Sequence, residues 1–454
     1  MHRQRARSVR TAVDSRADSV HTVRTGHAGG DRVRLSGFDL LTGPWYIPLT
    51  FFYRKTLDAE ALRDSLARTL RHYPVLAGRL RRDADGGLSV VCDDAGVRFT
   101  EAWSPDAMGD FGHDLRSEPV AGNLVREVTA FGVVDRDTPL LKIRLTQMRG
   151  GGSVLAVMIN HTLADGASAL SFLQNWSHEH LGLPWEKPNH AREVLDSLGR
   201  PSPSAAVREG RALVTVGRLR RLAATARLAA RRLTTVTTRF HAAELAAMKE
   251  DARASLPGSG AWVSTNDTLT AHLWRVYGQL RERPADAPEW LGLVVGARTR
   301  LGGELPAGYW GNCVSSSWTS TTAAALRTAS LGALALGVRR CLESTTEDKL
   351  RDEIAFLNSL RRKGISRRVM SARAHDAFDA SLSVNNWSRF PLYGVDLGGG
   401  RPFWYEFPDV PVPTVHITPT PDEDGGRDVY LCLLEEHAGE LAGPGWQARL
   451  HPFR

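Results

Sequence analysis

The residues of this chain with the clearest chemical potential are His161 and Asp165, set in the segment Asn160-His161-Thr162-Leu163-Ala164-Asp165-Gly166. An imidazole titrates near neutrality, so it is the side chain best suited to take a proton from a hydroxyl or an amine at physiological pH. A general base acts through its position before its pKa, so the elements that hold His161 decide whether it can work. The apolar run Val154–Ile159 ends beside it and reads as a buried strand. A helical pattern from Ala167 to His180 leads away, and Gly166 permits the turn between them. His161 is therefore expected at a strand end, with rigid scaffold on one side. Plainer readings compete: a histidine beside a strand is commonly a packed residue, and Asp165 suits a helix cap. His-x-x-x-Asp-Gly is too short a pattern to decide between them.

Length and composition set the bounds. A chain of 454 residues holds two domains or one large one. Hydrophobic residues make up 42% and charged residues 24%, the balance of a soluble globular protein. No run reaches the roughly 18–20 unbroken apolar residues that span a bilayer. Cys92, Cys313, Cys341 and Cys432 are far apart and form no Cys-x-x-Cys pair, so neither a zinc site nor a disulfide framework is indicated. A reducing, cytoplasmic location fits that usage. The net charge of +8 comes almost wholly from arginine. Compositional bias explains such an excess, and so does attraction to an anionic partner such as a nucleotide-bearing cosubstrate. No recognition motif accompanies the charge, so a nucleic-acid partner is not expected.

Residues 1–28 read as a disordered basic tail without the apolar core of a secretory signal, with order beginning near Val33. Ile47–Tyr53 predicts a strand and Asp58–His72 a helix, closed by Tyr73-Pro74. Leu76–Leu80 and Leu88–Val91 predict short strands around the Asp85-Gly86-Gly87 turn, and Pro139–Gln147 another. Prolines 184, 188, 201 and 203 mark a crossover. Within it, residues 208–239 carry nine arginines against the single acid Glu209 and predict a basic amphipathic helix. Such a helix is a surface element with one buried face, or a contact for phosphates or a membrane. The domains are then the tail 1–28, an N-terminal domain 29–195 carrying His161, a crossover 196–238 and a C-terminal domain 239–454. In the last, Ser264 caps a helix, Leu291–Val295 forms a strand leading to Arg298, and helices occupy Thr321–Leu342 and Asp348–Leu360. Leu382–Val384 leads into Asn385-Asn386-Trp387, and two strands close the chain around Gly425-Gly426.

These motifs, in this order, resemble the BAHD acyltransferases, enzymes that depend on acyl-CoA. The resemblance runs from about Leu35 to Leu433. Tyr73-Pro74-Val75-Leu76-Ala77-Gly78-Arg79-Leu80 is similar to an early family segment, and His161 to Gly166 to its His-x-x-x-Asp-Gly motif. Ala297-Arg298-Thr299-Arg300 with Gly308-Tyr309-Trp310-Gly311-Asn312, and Asp396-Leu397-Gly398-Gly399-Gly400, resemble its later motifs. The resemblance implies a two-domain chloramphenicol acetyltransferase-like α/β (α+β) fold. Each domain is a mixed β-sheet flanked by helices, with an active-site channel between them. It implies that His161 deprotonates the acceptor, that Asp165 turns away and pairs with Arg298, and that Gly166 gives close backbone approach. Asn385 and Trp387 stand where relatives place a Thr-x-Trp segment near the oxyanion. Asp396, Gly398 and Gly400 are structural. The implied protein is a monomer with no permanently bound cofactor. Its co-substrate is acyl-CoA and its acceptor a small-molecule alcohol or amine. Two departures, Leu397 for Phe and Gly399 for Trp, suggest a divergent, microbial or algal member with a looser loop. No Gly-x-Ser-x-Gly elbow is present, which agrees with direct transfer and no acyl-enzyme. The rival readings are a condensation-type transferase using a carrier-protein donor, a non-catalytic binding module on the same fold, and a peripheral membrane protein acting through 208–239.

Overall fold

The computed structural model describes residues 17–27, 29–43, 45–110, 132–211, 213–217, 219, 223, 232–257, 260–365, 368–371, 381–407 and 413–454. The apolar run before His161 is the strand Ser153–Asn160, buried at every position. It lies inside a six-stranded sheet ordered Ser19–Val23, Val97–Ala107, Leu141–Arg149, Ser153–Asn160, Tyr46–Tyr53, Trp404–Glu406. Val97–Ala107 and Leu141–Arg149 run parallel, and the other neighbours are antiparallel. Tyr46–Tyr53 is also buried throughout. Strands covered on both faces lose the alternation of half-exposed ones. The helices Ala59–Leu70 and Gly166–His180 pack together against this sheet, with Leu62, Leu66, Leu70, Phe172 and Leu173 in its core.

A second six-stranded sheet is ordered Leu233–Phe240, Arg427–Leu434, Thr414–Pro419, Ser381–Asn386, Pro288–Gly296, Val314–Thr322. Ser381–Asn386 is parallel to both of its neighbours, so this sheet too is mixed. The helix Thr265–Leu280 opens with a reciprocal capping box between Ser264 and Asp267 and is buried along most of its length. Leu331–Glu343 packs beside it.

The halves interlock. Trp404–Glu406 leaves the second half and pairs with Tyr46–Tyr53 of the first sheet. Leu392, Tyr393, Val395, Leu397 and Tyr405 are buried in the first sheet's core. The Tyr53 hydroxyl donates to the Val395 carbonyl at 2.9 Å, and the Tyr430 hydroxyl to the Tyr405 carbonyl at 2.6 Å.

Several local expectations change. Ser19–Val23 is a strand at the edge of the first sheet, not part of a tail; residues 1–16 lie outside the described residues. An edge strand is held by main-chain pairing and by contacts such as Arg144 with Asp18 at 2.8 Å, which leave no hydrophobic alternation to read. Pro74–Ala77 is one helical turn, and the strand begins only at Arg79; proline suits the first helical position. No continuous helix spans 208–239. Its described residues give the end of the helix Ala205–Glu209, the strand Leu213–Thr215 paired with Val369–Ser371, and most of the strand Leu233–Phe240. The β-branched run Thr234 to Thr238 favours a strand. Most of 218–231 lies outside the described residues.

Tyr430→Phe removes a buried bond that ties the crossing strand to the second sheet and leaves the Tyr405 carbonyl without that donor. It is expected to lower unfolding stability by about 1–3 kcal/mol, measured as a fall in the denaturant midpoint with the far-UV spectrum unchanged.

Candidate active site

The loop after Ser153–Asn160 is clamped through its backbone. The His161 N–H donates to the Trp45 carbonyl at 2.7 Å. The His161 carbonyl accepts from Thr42 Oγ1 at 2.9 Å and from Asn312 Nδ2 at 2.8 Å. Asn160 Oδ1 accepts from the Thr162 N–H and hydroxyl at 3.2 and 2.6 Å. These bonds fix where the His161 Cβ points without engaging the ring. The residue as a whole is partly exposed, and its ring is tilted at 41° to the Trp45 indole with 6.1 Å between centroids.

Burial of the imidazole lowers its pKa. The carbonyls of His161 and Ala164, the Asp165 carboxylate and the Asn312 side chain oppose that shift without reversing it. His161 is therefore neutral at pH 7, as a base must be. Its Nδ1 is buried and lacks a partner at hydrogen-bond geometry.

Asp165 does not reach towards His161. Its Oδ1 caps the helix Gly166–His180 by accepting from the Ser168 N–H at 2.9 Å. Arg298 donates to both carboxylate oxygens at 2.7 and 3.0 Å, and the Cys313 N–H donates to Oδ2 at 2.8 Å. Burial by itself would raise the Asp165 pKa; Arg298 and the two N–H donors outweigh it and hold the carboxyl below its usual range. Arg298 also donates to Ser168 Oγ and to the Gly311 carbonyl, each at 2.7 Å. One guanidinium thus joins the histidine loop to the Gly308–Asn312 loop.

A second buried network was not apparent from the sequence. Asp39, fully buried, accepts from Arg192 Nε at 2.9 Å and from Asn312 N and Nδ2 at 3.0 and 2.9 Å. Arg192 Nη2 donates to the Leu163 carbonyl at 2.8 Å. The Ser36-x-x-Asp39 spacing marks a capping box that the structure forms, but nothing local to it indicates Arg192. Asn312 stands inside a motif already noted, so its importance was legible and its partners were not.

Asn385 and Trp387 lie opposite, on and just after the strand Ser381–Asn386. A side chain at Gly166 would overlap the Trp387 ring, so that glycine lets the indole pack against the histidine loop. Trp387 Nε1 donates to Asn385 Oδ1 at 3.0 Å. Its only donor is therefore occupied. Asn386 points elsewhere, to Asn266 on the helix Thr265–Leu280.

Asp396, Gly398 and Gly400 form a separate support. Asp396 Oδ1 accepts from the Gly398 and Gly400 N–H groups at 2.9 and 3.0 Å, and both glycines have positive φ, 85° and 84°. The space left by the two missing aromatics is filled by other side chains. Leu397 is 1% exposed inside the core, and a side chain at Gly399 would collide with Leu57, which fills the space.

A cavity of about 680 Å³ opens beside Arg32, Arg34, His190, Glu193 and Arg361; none of the candidate site residues lines it. Among the described residues no helix is long and apolar enough to cross a membrane.

The family model described as "Transferase family" matches residues 25–441. A hydroxycinnamoyl-CoA:5-hydroxyanthranilate N-hydroxycinnamoyltransferase of Avena sativa is 29% identical over 428 residues, covering 90% of this chain and 93% of the relative. A shikimate O-hydroxycinnamoyltransferase of Nicotiana tabacum is 26% identical, covering 88% and 92%. Among solved structures, F. sporotrichioides TRI101 complexed with coenzyme A and T-2 superposes with a TM-score of 0.75 at 17% identity, over 92% of this chain and 98% of that one. Vinorine synthase does so at 0.67 and 19%, over 93% and 95%.

Removing Arg298 leaves the Asp165 carboxylate buried without its counter-ion. Arg298→Ala is expected to cost about 3–5 kcal/mol at neutral pH, measured by denaturant unfolding. Folded Asp165 binds its proton less readily than the unfolded chain, so its contribution is full at neutral pH and is lost as pH falls through the depressed value. The deficit of the variant therefore narrows in acid. Gly166→Ala is expected to push Trp387 away and to lower kcat at least tenfold, with the near-UV tryptophan spectrum altered.

Proposed function

Because the chain belongs to the transferase family that comprises the BAHD acyl-CoA-dependent acyltransferases, we propose that His161 Nε2 is the base of an acyl transfer from acyl-CoA to the hydroxyl or amine of a small molecule. The observation that carries this reading is the backbone clamp of His161, which holds a neutral imidazole where residues of both halves converge.

In this reading the acceptor O–H or N–H gives its proton to Nε2 as its heavy atom bonds to the thioester carbonyl carbon. The carbonyl π electrons move to oxygen and form a tetrahedral oxyanion. One N–H of the Asn385 amide stabilises that charge; a preorganised donor of this kind contributes about 100- to 1000-fold to kcat. Collapse of the oxyanion restores the carbonyl, breaks the C–S bond and expels the CoA thiolate, which takes the proton back from His161. No acyl-enzyme forms. Asp165 and Arg298 touch no substrate and act by holding the loop.

The N- and O-hydroxycinnamoyltransferases among the relatives support an aromatic acyl-CoA donor and leave both acceptor types open. TRI101 was solved with coenzyme A, which supports CoA as the carrier. Turnover of free acyl-CoA by the purified protein separates this reading from a carrier-protein donor.

A screen of acyl-CoAs that follows free thiol release is expected to find activity. His161→Ala is expected to lower kcat by about 100- to 10,000-fold, with the KM for acyl-CoA changed little. Equal kcat in that variant would remove His161 as the base. Since burial lowers the His161 pKa, the acid limb of log kcat/KM against pH is expected below the ordinary histidine value of about 6.5.

A further inference from the structure

A second histidine faces the same site. His416 lies on the buried strand Thr414–Pro419, opposite Asn385 in the parallel register between the strands. It is 6% exposed and stacks on Phe407, with ring centroids 3.8 Å apart and planes inclined by 23°. Its edge meets the Trp387 ring at 5.8 Å. It is near enough to His161 to feel a charge there, and burial keeps it neutral by pushing its pKa down to about 3.

The hydrogen bonds run in one direction through this cluster. The Trp387 indole N–H donates to Asn385 Oδ1 at 3.0 Å, and Asn385 Nδ2 meets His416 Nε2 at 3.5 Å. The indole is a donor only, so it selects the oxygen end of the Asn385 amide. A neutral imidazole protonated on Nδ1 offers Nε2 as an acceptor, and so selects the nitrogen end. A primary amide nitrogen carries two hydrogens. With one directed to His416, the other is left for the substrate side of a partly exposed residue. The contact at 3.5 Å is long, as such bonds commonly are before substrate binds.

We propose that His416 is a positioning residue: its unprotonated Nε2, together with the Trp387 indole, locks the Asn385 amide in the orientation that presents an N–H to the oxyanion. This rests on the oxyanion role given to Asn385 above. Without His416 the amide keeps one fixed end and can rotate or flip, so the donor is present but not aimed.

The test compares two replacements at one position. His416→Phe keeps a flat ring against Phe407 and removes the acceptor; His416→Gln restores an acceptor. His416→Phe is expected to lower kcat about 10- to 100-fold, less than the loss of an oxyanion donor outright, with the KM for acyl-CoA within twofold. His416→Gln is expected to recover most of that loss. Adding His416→Phe to Asn385→Ala is expected to lower kcat no further, because the residue being aimed is already gone. Unchanged kcat in His416→Phe, or a full additional loss in the double variant, overturns the proposal. If Asn385→Ala alone leaves kcat intact while His161→Ala abolishes it, the oxyanion role of Asn385 fails and the base assignment stands. A measurement on the unmodified protein guards against a phenylalanine variant that does not fold. Long-range proton–nitrogen correlation of the imidazoles, with His416 assigned by its absence in His416→Gln, is expected to show Nδ1 protonated and Nε2 bare across neutral pH. A proton on Nε2 overturns the proposal.

Discussion

The contact on which the site depends is the two-pronged pair between Asp165 and Arg298. A buried ion pair is weak evidence for net stability, because desolvating both charges offsets most of their attraction. Its value here is geometric. Asp165 caps the helix that follows His161, and Arg298 belongs to the short turn after the strand Pro288–Gly296 of the second sheet. The same guanidinium holds Ser168 and the Gly311 carbonyl. The loop bearing the base is thus referenced to both halves at once, and moving either half moves the base.

His161 itself is held by its main chain. Three backbone bonds set its place, from Trp45, Thr42 and Asn312, and none engages the ring. This arrangement lets a residue be rigid in position and free in chemistry. Asn312 is in turn fixed by Asp39, whose other partner Arg192 steadies the Leu163 carbonyl. These polar contacts are not all satisfied, since Asn312 Oδ1 and Arg192 Nη1 are buried without a hydrogen-bond partner. They gather around a single histidine because efficiency in proton transfer follows geometry first.

The loop Asp396–Gly400 shows how a motif can diverge without losing its structure. Two aromatics of the family pattern are absent, yet the turn is closed by one carboxylate oxygen that accepts from two glycine N–H groups. Leu57 takes up the volume at Gly399, and Leu397 remains in the core. The shape is set by hydrogen bonding and positive φ at the glycines, with side-chain bulk secondary. Departures of this sort weaken the resemblance motif by motif while leaving the packing intact.

By itself the sequence determined the elements whose signal is local. The continuous apolar run into His161, the leucine spacing of the helix Ala59–Leu70, and the Ser264 cap all survive in the structure. The ordered motifs were enough to indicate the family, because their spacing carries information that no single motif holds. Tertiary structure alone decided what depends on residues distant in the chain. The edge strand Ser19–Val23 is polar and exists because Val97–Ala107 offers it main-chain partners. The strand Leu233–Phe240 takes up the end of the basic segment 208–239 that was expected to be helical, because pairing with Arg427–Leu434 rewards its β-branched threonines. His416 lies on a fully buried strand, where neither alternation nor any motif marks it. Only register with Asn385 brings it to the site, and register is a property of two strands, which one stretch of sequence does not contain.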